Sequence, residues 1–170
     1  MVEARRRRQA PDAPLDDAPL DGVRILIVES GYYEDIADML LAGARRALDA
    51  IGAAYDVVTV PGALEIPQAV ALALKSSPAA AYDGVVALGC VIRGETSHYD
   101  IVAGESARAL MDVGIATGVP VGNGILTVDT PEQARRRAAL DGGDKGGAAA
   151  AAALALVRLK RGGITPANPQ

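Results

Sequence analysis

The sequence feature that most constrains the fold is an alternation of short β-branched runs with longer segments of helical periodicity. The first run reads VRILIV at residues 23–28, and the segment after it places apolar residues four positions apart, at Ile36, Leu40 and Ala44. Such spacing lines one face of an α-helix. The alternation recurs along the chain and predicts strands at residues 23–28, 55–60, 84–88 and 120–126 and helices at residues 34–51, 65–75, 97–117, 131–139 and 146–161.

Strands that are separated by helices of this length pair in parallel through right-handed crossover connections. The predicted fold class is therefore α/β, a three-layer sandwich with a four-stranded, parallel, flavodoxin-like sheet. Such sheets bind ligands beyond the carboxyl ends of their strands. We therefore expect the functional residues in the loops that follow residues 28, 60, 88 and 126.

Composition restricts both the core and the function. Half of the 170 residues are hydrophobic but only 3% are aromatic, all of them tyrosine, so aliphatic side chains must form the core and few residues can stack on a planar ligand. One cysteine and one histidine exclude a disulfide framework and a multi-Cys or His-rich metal site. The net charge of −4 argues against a dedicated nucleic-acid-binding protein.

The two ends of the chain have no hydrophobic period. Residues 1–20 carry four arginines among acids and prolines and are expected to form a disordered tail, with a solvated tail favoured over a nucleic-acid contact. Residues 162–170 are expected to be a flexible tail, which leaves one domain at residues 21–161. No apolar segment follows the arginines, and the longest apolar run is shorter than the ~20 residues of a membrane span. We expect a cytoplasmic protein without a membrane or nucleic-acid partner.

The loop after the third predicted strand reads GCVIRGETSH at residues 89–98. Its glycines are spaced as in a P-loop, but Glu95 replaces the phosphate-binding lysine, which argues against a nucleoside-triphosphate site. A helix N-terminus capped by Thr96 or Ser97 remains, and it suits either a single phosphate or an ordinary βα turn. His98, in the first turn of that helix, is the acid/base candidate, although a lone histidine is as often structural.

Two other loops carry candidate ligand-binding residues. PGALEIP at residues 61–67 contains Gly62, which permits close backbone approach, and Glu65, which can accept hydroxyl hydrogen bonds or simply favour the helix start. In the first loop, Tyr32 and Tyr33 can stack on a planar heterocycle or pack against a neighbouring subunit.

A basic segment near the end of the domain is a second candidate for phosphate binding. Three arginines occupy residues 135–137, and Lys145 follows in a glycine-rich turn. Guanidinium groups pair well with phosphate. On a helix, however, no more than two of the three arginines can face one site, and most of the run is expected to be solvated.

These segments together resemble one enzyme family. VPGALEIP, ALGCVIRGETSHYD, GNGILTVDT, and EQARRRA followed by DKGG are similar, in this order, to the 6,7-dimethyl-8-ribityllumazine synthases of riboflavin biosynthesis. The resemblance implies condensation of 5-amino-6-(D-ribitylamino)uracil with 3,4-dihydroxy-2-butanone 4-phosphate, with release of phosphate and water and without a cofactor or metal. It also implies active sites between neighbouring subunits of a homo-oligomer.

The resemblance also implies roles for individual residues. His98 matches the proton-transfer histidine, and Arg137 matches the arginine that anchors the phosphate. Glu95 and Thr96 match the pair whose backbone and hydroxyl meet the phosphate. The residues that match the pyrimidine and ribityl site are Tyr32, Ala63, Leu64, Glu65, Cys90, Val91, Ile92, Asn123 and Lys145. Among them, residues 90–92 match a segment that contacts the edge of the pyrimidine through its backbone.

Three departures from the family pattern bear on the site and on assembly. The first loop reads GYY at residues 31–33 where Arg-Phe-Asn is common, Asn123 stands where many members have Phe, and LDGGD at residues 140–144 replaces a loop typical of shell-forming members. We therefore expect a pentamer or a decamer rather than an icosahedral shell. The alternatives are a non-catalytic flavin or lumazine carrier of the same fold and a Schiff-base aldolase that uses Lys145.

Overall fold

The computed structural model describes residues 20–76 and 82–162. Within these ranges the elements follow the predicted order. They are β1 (Arg24–Ser30), α1 (Glu34–Asp49), β2 (Ala54–Val60), α2 (Glu65–Ser76), β3 (Gly84–Ile92), α3 (His98–Thr117), β4 (Val121–Val128), α4 (Pro131–Ala138) and α5 (Lys145–Gly162). The two expected tails, residues 1–20 and 162–170, lie outside the described residues except for Leu20 and Gly162. No helix in the described ranges has the length and apolar character that crossing a membrane requires.

The strands form one parallel sheet in the order β2-β1-β3-β4. Helices α1, α4 and α5 pack on one face of the sheet and α2 and α3 on the other, which confirms the predicted three-layer α/β sandwich. From β1 the chain proceeds outward to β2, and it then crosses to β3 and β4 on the other side. The crevice between the ends of β1 and β3 is therefore the position at which folds of this type bind ligands.

Each face of β1 contributes to a separate apolar layer, because successive side chains of a strand point to opposite faces. Ile25 and Ile27 belong to the layer under α1, α4 and α5, whereas Leu26 and Val28 belong to the layer under α2 and α3. All four are essentially inaccessible to solvent, and burying a side chain of this size contributes ~1.5–3 kcal/mol. In the described part of the chain the buried apolar residues are aliphatic or cysteine, as the composition predicts.

Two glycines in β4 allow α5 to lie close to the sheet. A Cβ on Gly124 would lie 2.8 Å from Leu88 Cδ2 and 2.9 Å from the Cβ of Ala149, and a Cβ on Gly122 would collide with the backbone of Ala149. The alanines of α5 bury little area each, and close approach restores the dispersion contacts that larger side chains would otherwise supply. The glycines that weaken the strand signal in this segment are therefore packing residues.

Strand β3 is longer than predicted. It continues through Gly89 because it pairs with β4 as far as Ile92 and Val128. The prediction that the segment containing Cys90, Val91 and Ile92 is part of a loop is therefore wrong. Strand β1 pairs with β3 only up to Glu29, so the last stretch of β3 has a strand partner on one side and an open edge towards the crevice.

Candidate active site

A cleft of about 500 Å³ opens at the carboxyl end of the sheet, between the ends of β1 and β3. It is lined by the loops after β1 and β2, the end of β3 and the start of α3, and is termed here the switch-point cleft. Nine of the site residues predicted from the sequence line it: Tyr32, Ala63, Leu64, Glu65, Cys90, Val91, Ile92, Thr96 and His98.

In the loop after β2, the carboxylate of Glu65 lies close to the backbone of Gly62. Glu65 is the first residue of α2, and its amide donates a hydrogen bond of 3.2 Å to the carbonyl of Gly62. A Cβ on Gly62 would lie 2.9 Å from Glu65 Oε2. The glycine therefore leaves the space that this carboxylate occupies beside the cleft.

The loop between β3 and α3 presents polar groups at a helix N-terminus. The amide of His98 donates to Thr96 Oγ1 at 3.3 Å, whereas the side chain of Ser97 makes no capping hydrogen bond. Of the two expected caps, Thr96 is thus the one that is used. The amides of the first turn of α3 and the positive end of the helix dipole favour an anion at this position.

Three of the five tyrosines line the switch-point cleft. Tyr32 is 71% exposed, and its ring meets the ring of Tyr33 edge to face, with centroids 4.9 Å apart. Burial, with smaller contributions from Tyr32 and Cys90, raises the pKa of the Tyr33 hydroxyl, which is therefore a neutral donor near pH 7. Tyr99 also lines the cleft but is not among the predicted site residues, although its position directly after His98 is a signal for it.

Cys90 lines the cleft with a buried thiol. Burial, reinforced by the carboxylate of Asp35, raises the pKa of the Cys90 thiol to about 11. The thiol is therefore protonated near neutral pH, and a thiol in that state is a poor nucleophile. This agrees with the role implied by the resemblance, in which the segment acts through its backbone.

The remaining basic residues of the predicted site lie in a second cleft of about 350 Å³, termed here the edge cleft, along the free edge of β4. Asn123, Arg137 and Lys145 line it, and the Asn123 side chain accepts a hydrogen bond from the amide of Ile125 at 2.9 Å. Arg135 instead forms an ion pair of 3.0 Å with Asp35 on α1, so the arginines of α4 do not all face one site, as expected. The exposed side chain of Glu95 lines neither cleft.

The DKGG turn holds Lys145 at the start of α5. Asp144, at a φ of +39°, accepts a hydrogen bond from the amide of Gly147 at 3.2 Å and forms an ion pair of 2.6 Å with Arg46 on α1. A Cβ on Gly146 would collide with the carbonyl of Leu40, so the glycine lets α5 start directly against α1. The turn is thus a fixed junction between two helices rather than a loose loop.

The fold defines a parallel α/β protein, and the switch-point cleft lies at the carboxyl edge of its sheet, where folds of this type bind small molecules. Within the described ranges, no group of three or more His, Cys, Asp or Glu side chains is placed to hold a metal ion. A family model described as 6,7-dimethyl-8-ribityllumazine synthase matches residues 22–161. The chain therefore belongs to the 6,7-dimethyl-8-ribityllumazine synthase family.

Individual relatives agree with the family model. A protein of Methylorubrum populi named 6,7-dimethyl-8-ribityllumazine synthase is 58% identical over 163 residues, which cover 95% of this chain and 95% of the relative. A protein of the same name from Azorhizobium caulinodans is 62% identical over 148 residues, or 86% of this chain and 91% of the relative. The resemblance inferred from the motifs is confirmed: the chain is a transferase of riboflavin biosynthesis that acts on small molecules.

Proposed function

We propose that this enzyme condenses 5-amino-6-(D-ribitylamino)uracil with 3,4-dihydroxy-2-butanone 4-phosphate to form 6,7-dimethyl-8-ribityllumazine. One observation carries the proposal. His98, Thr96 and a helix N-terminus line the same cleft as three exposed or half-exposed tyrosines. Such a cleft combines a proton-transfer group, a phosphate-binding end and a surface for a planar ring.

Because both substrates are intrinsically reactive, the enzyme contributes mainly by positioning them and by transferring protons. The amine of the uracil attacks the ketone and water leaves to give an imine. Phosphate is then eliminated, and the ribityl-bearing nitrogen closes the second ring with loss of water. His98 accepts and returns the protons, whereas the backbone of Glu95, the hydroxyl of Thr96 and the guanidinium of Arg137 hold the phosphate.

The pyrimidine occupies the part of the switch-point cleft beside β3. The open edge of the last stretch of β3 supports a role in which the backbone of residues 90–92 hydrogen-bonds the edge of the ring. The ring stacks on Tyr32, and the ribityl chain lies along residues 63–65, where the Glu65 carboxylate accepts hydroxyl hydrogen bonds. Asn123 and Lys145 complete the site from the edge cleft.

Residues of two neighbouring subunits form the complete site. The subunits belong to a homopentamer or to a decamer of two pentamers. In one chain Arg137 and Lys145 line a different cleft from Thr96 and His98, so the edge cleft of one subunit would face the switch-point cleft of the next. Helix α3 also exposes three large apolar side chains, those of Ile101, Met111 and Ile115, which a neighbouring subunit can cover. The proposal places the enzyme in the cytoplasm, where its single cysteine stays reduced.

The test is to mix the purified protein with both substrates and follow lumazine absorbance and fluorescence together with phosphate release. One phosphate released for each lumazine formed, at a rate proportional to enzyme concentration, supports the proposal. Lumazine formation no faster than in the buffer control would contradict it. A bound yellow ligand without phosphate release would instead support the non-catalytic carrier.

A further inference from the structure

We propose that Arg93 is a positioning residue that holds the loop carrying Thr96 and His98 in its working conformation. The inference rests on the proposed function of the switch-point cleft. Arg93 itself does not line the cleft, and it acts through the residues that flank the loop at residues 94–98.

The guanidinium of Arg93 contacts three residues on two other parts of the chain. Its Nε donates to Asp129 Oδ1, just after β4, at 3.2 Å, and its Nη1 donates to Asp100 Oδ1, in the first turn of α3, at 3.4 Å. Its Cζ lies 3.9 Å from the centroid of the Tyr99 ring. The backbone amide of Arg93 also donates to the carbonyl of Val128 at 2.9 Å. The side chain thus links the end of β3 to the start of α3 and to the residue after β4.

The loop between these anchor points has little to hold it by itself. Residues 94–98 are all exposed, and a Cβ on Gly94 would meet nothing within 4 Å. Arg93 precedes the loop and its partners Tyr99 and Asp100 follow it, so the side chain closes the loop into a ring. A loop whose ends are fixed samples fewer conformations, and catalytic groups gain from being held near their working geometry.

The contacts require the shape of an arginine side chain. A planar guanidinium can donate in its plane to two carboxylates while its face lies over an aromatic ring. A lysine ammonium keeps the charge but cannot satisfy all three partners at once. Because ion pairs this exposed contribute little to global stability, losing Arg93 should change the loop and the kinetics far more than the melting temperature.

Arg24 provides a matched control at the opposite end of the sheet. It is similarly exposed, forms hydrogen bonds of 2.7 and 3.0 Å to Asp56, and lies 5.5 Å from the ring of Tyr82. The variant Arg24→Gln therefore removes the same kind of arginine–aspartate–tyrosine contact away from the site. It is expected to keep kcat/KM within about twofold of the wild type, since such a surface contact is weak.

The test compares Arg93→Gln, Arg93→Lys and Arg24→Gln in the full-length oligomeric enzyme. For Arg93→Gln we expect kcat/KM for the butanone phosphate to fall about tenfold or more, because small displacements of catalytic groups are costly. KM for the phosphate substrate should rise and kcat should fall, Arg93→Lys should recover only part of the loss, and the melting temperature should change no more than in Arg24→Gln. Amide hydrogen exchange of the peptide covering residues 94–98 should speed up in Arg93→Gln and stay unchanged in Arg24→Gln.

If Arg93→Gln has the same kinetics and the same amide hydrogen exchange as Arg24→Gln, the inference is overturned. If the wild type forms no lumazine, the proposed function fails, and the exchange experiment, which needs no substrate, decides on Arg93 alone. If Arg93→Gln does not fold, Asp129→Asn replaces it, since it removes one partner of the guanidinium and keeps the arginine. That variant should change exchange in the same direction by a smaller amount, and unchanged exchange would contradict the anchoring role.

Discussion

The switch-point cleft and the edge cleft of the same chain are lined by different kinds of functional side chain. Among its described lining residues the switch-point cleft has a histidine, three tyrosines and a helix N-terminus but no lysine or arginine. The edge cleft has Arg137 and Lys145 but no histidine or aromatic ring. A phosphate monoester is best held by charge-assisted hydrogen bonds from cationic side chains. Each cleft alone is therefore an incomplete site for a reaction that needs proton transfer, ring stacking and phosphate binding.

The two clefts differ in how the fold builds them. The switch-point cleft lies between buried strand ends, so its walls are set by hydrogen bonding within the chain. The edge cleft lies along β4, one of the two edge strands, which has a neighbour within this sheet on one side only. Edge strands are usually covered in native assemblies. Such a difference is what we expect if, as proposed, a second subunit completes the site at the edge cleft.

The strongest test of this comparison is complementation between two inactive variants. At butanone phosphate concentrations well below KM, we expect oligomers of His98→Asn alone and of Arg137→Ala alone to be weak enzymes. Oligomers formed by co-expressing both should regain about a quarter of wild-type activity, because random mixing pairs an intact switch-point cleft with an intact edge cleft at that frequency. Activity equal to the mean of the two parent variants would mean that the site lies within one subunit.

A change in the switch-point cleft alone should act on turnover. We expect His98→Gln to lower kcat about a hundredfold, near the lower end of what general acid–base catalysis contributes, because the two reactants are intrinsically reactive. KM for both substrates should stay close to the wild-type value in steady-state assays. A variant with unchanged kcat would show that the imidazole is structural.

A change in the edge cleft alone should act on phosphate binding. We expect Arg137→Ala to raise KM for the butanone phosphate about tenfold or more, the cost of a lost charge-assisted hydrogen bond, with a smaller effect on KM for the uracil. Arg135→Ala is the control, since Arg135 lies on the same helix and pairs with Asp35 rather than lining the cleft. If Arg137→Ala and Arg135→Ala change KM for the butanone phosphate equally, Arg137 does not bind the phosphate.

The smallest effect is expected for the thiol in the switch-point cleft. Because the pKa of Cys90 is about 11, Cys90→Ala should leave kcat/KM within about twofold, and iodoacetamide at pH 8 should alkylate the native wild type far more slowly than the unfolded chain. In the unfolded chain the Cys90 thiol has its ordinary pKa of 9, so as the pH rises the unfolded chain loses the thiol proton before the folded chain does. The free energy of unfolding should therefore fall between about pH 9 and 11 in the wild type and less in Cys90→Ala, as denaturant titrations can measure.

The local pattern of residues was sufficient for the order of the elements and for several polar and aromatic residues of the switch-point cleft, whereas residues 63, 64 and 90–92 were assigned through the family resemblance. Helical and strand periodicity depends on neighbouring positions, so all the helices and strands were found to within a few residues except at the end of β3. Thr96 and His98 follow from the start of a helix, and Gly62 and Glu65 from one short turn. Aliphatic composition likewise indicated the character of the core.

Contacts between distant segments decided the rest. Pairing with β4 carries β3 through Gly89, and packing against α5 explains the glycines of β4. The family resemblance placed Arg137 among the site residues, but only the folded chain separates it into another cleft from His98. The link between Arg93 and Asp129 joins residues 36 positions apart. Such features depend on how strands and helices meet in space. Periodicity shows only which face of an element is apolar, so it contains no information about distances between elements.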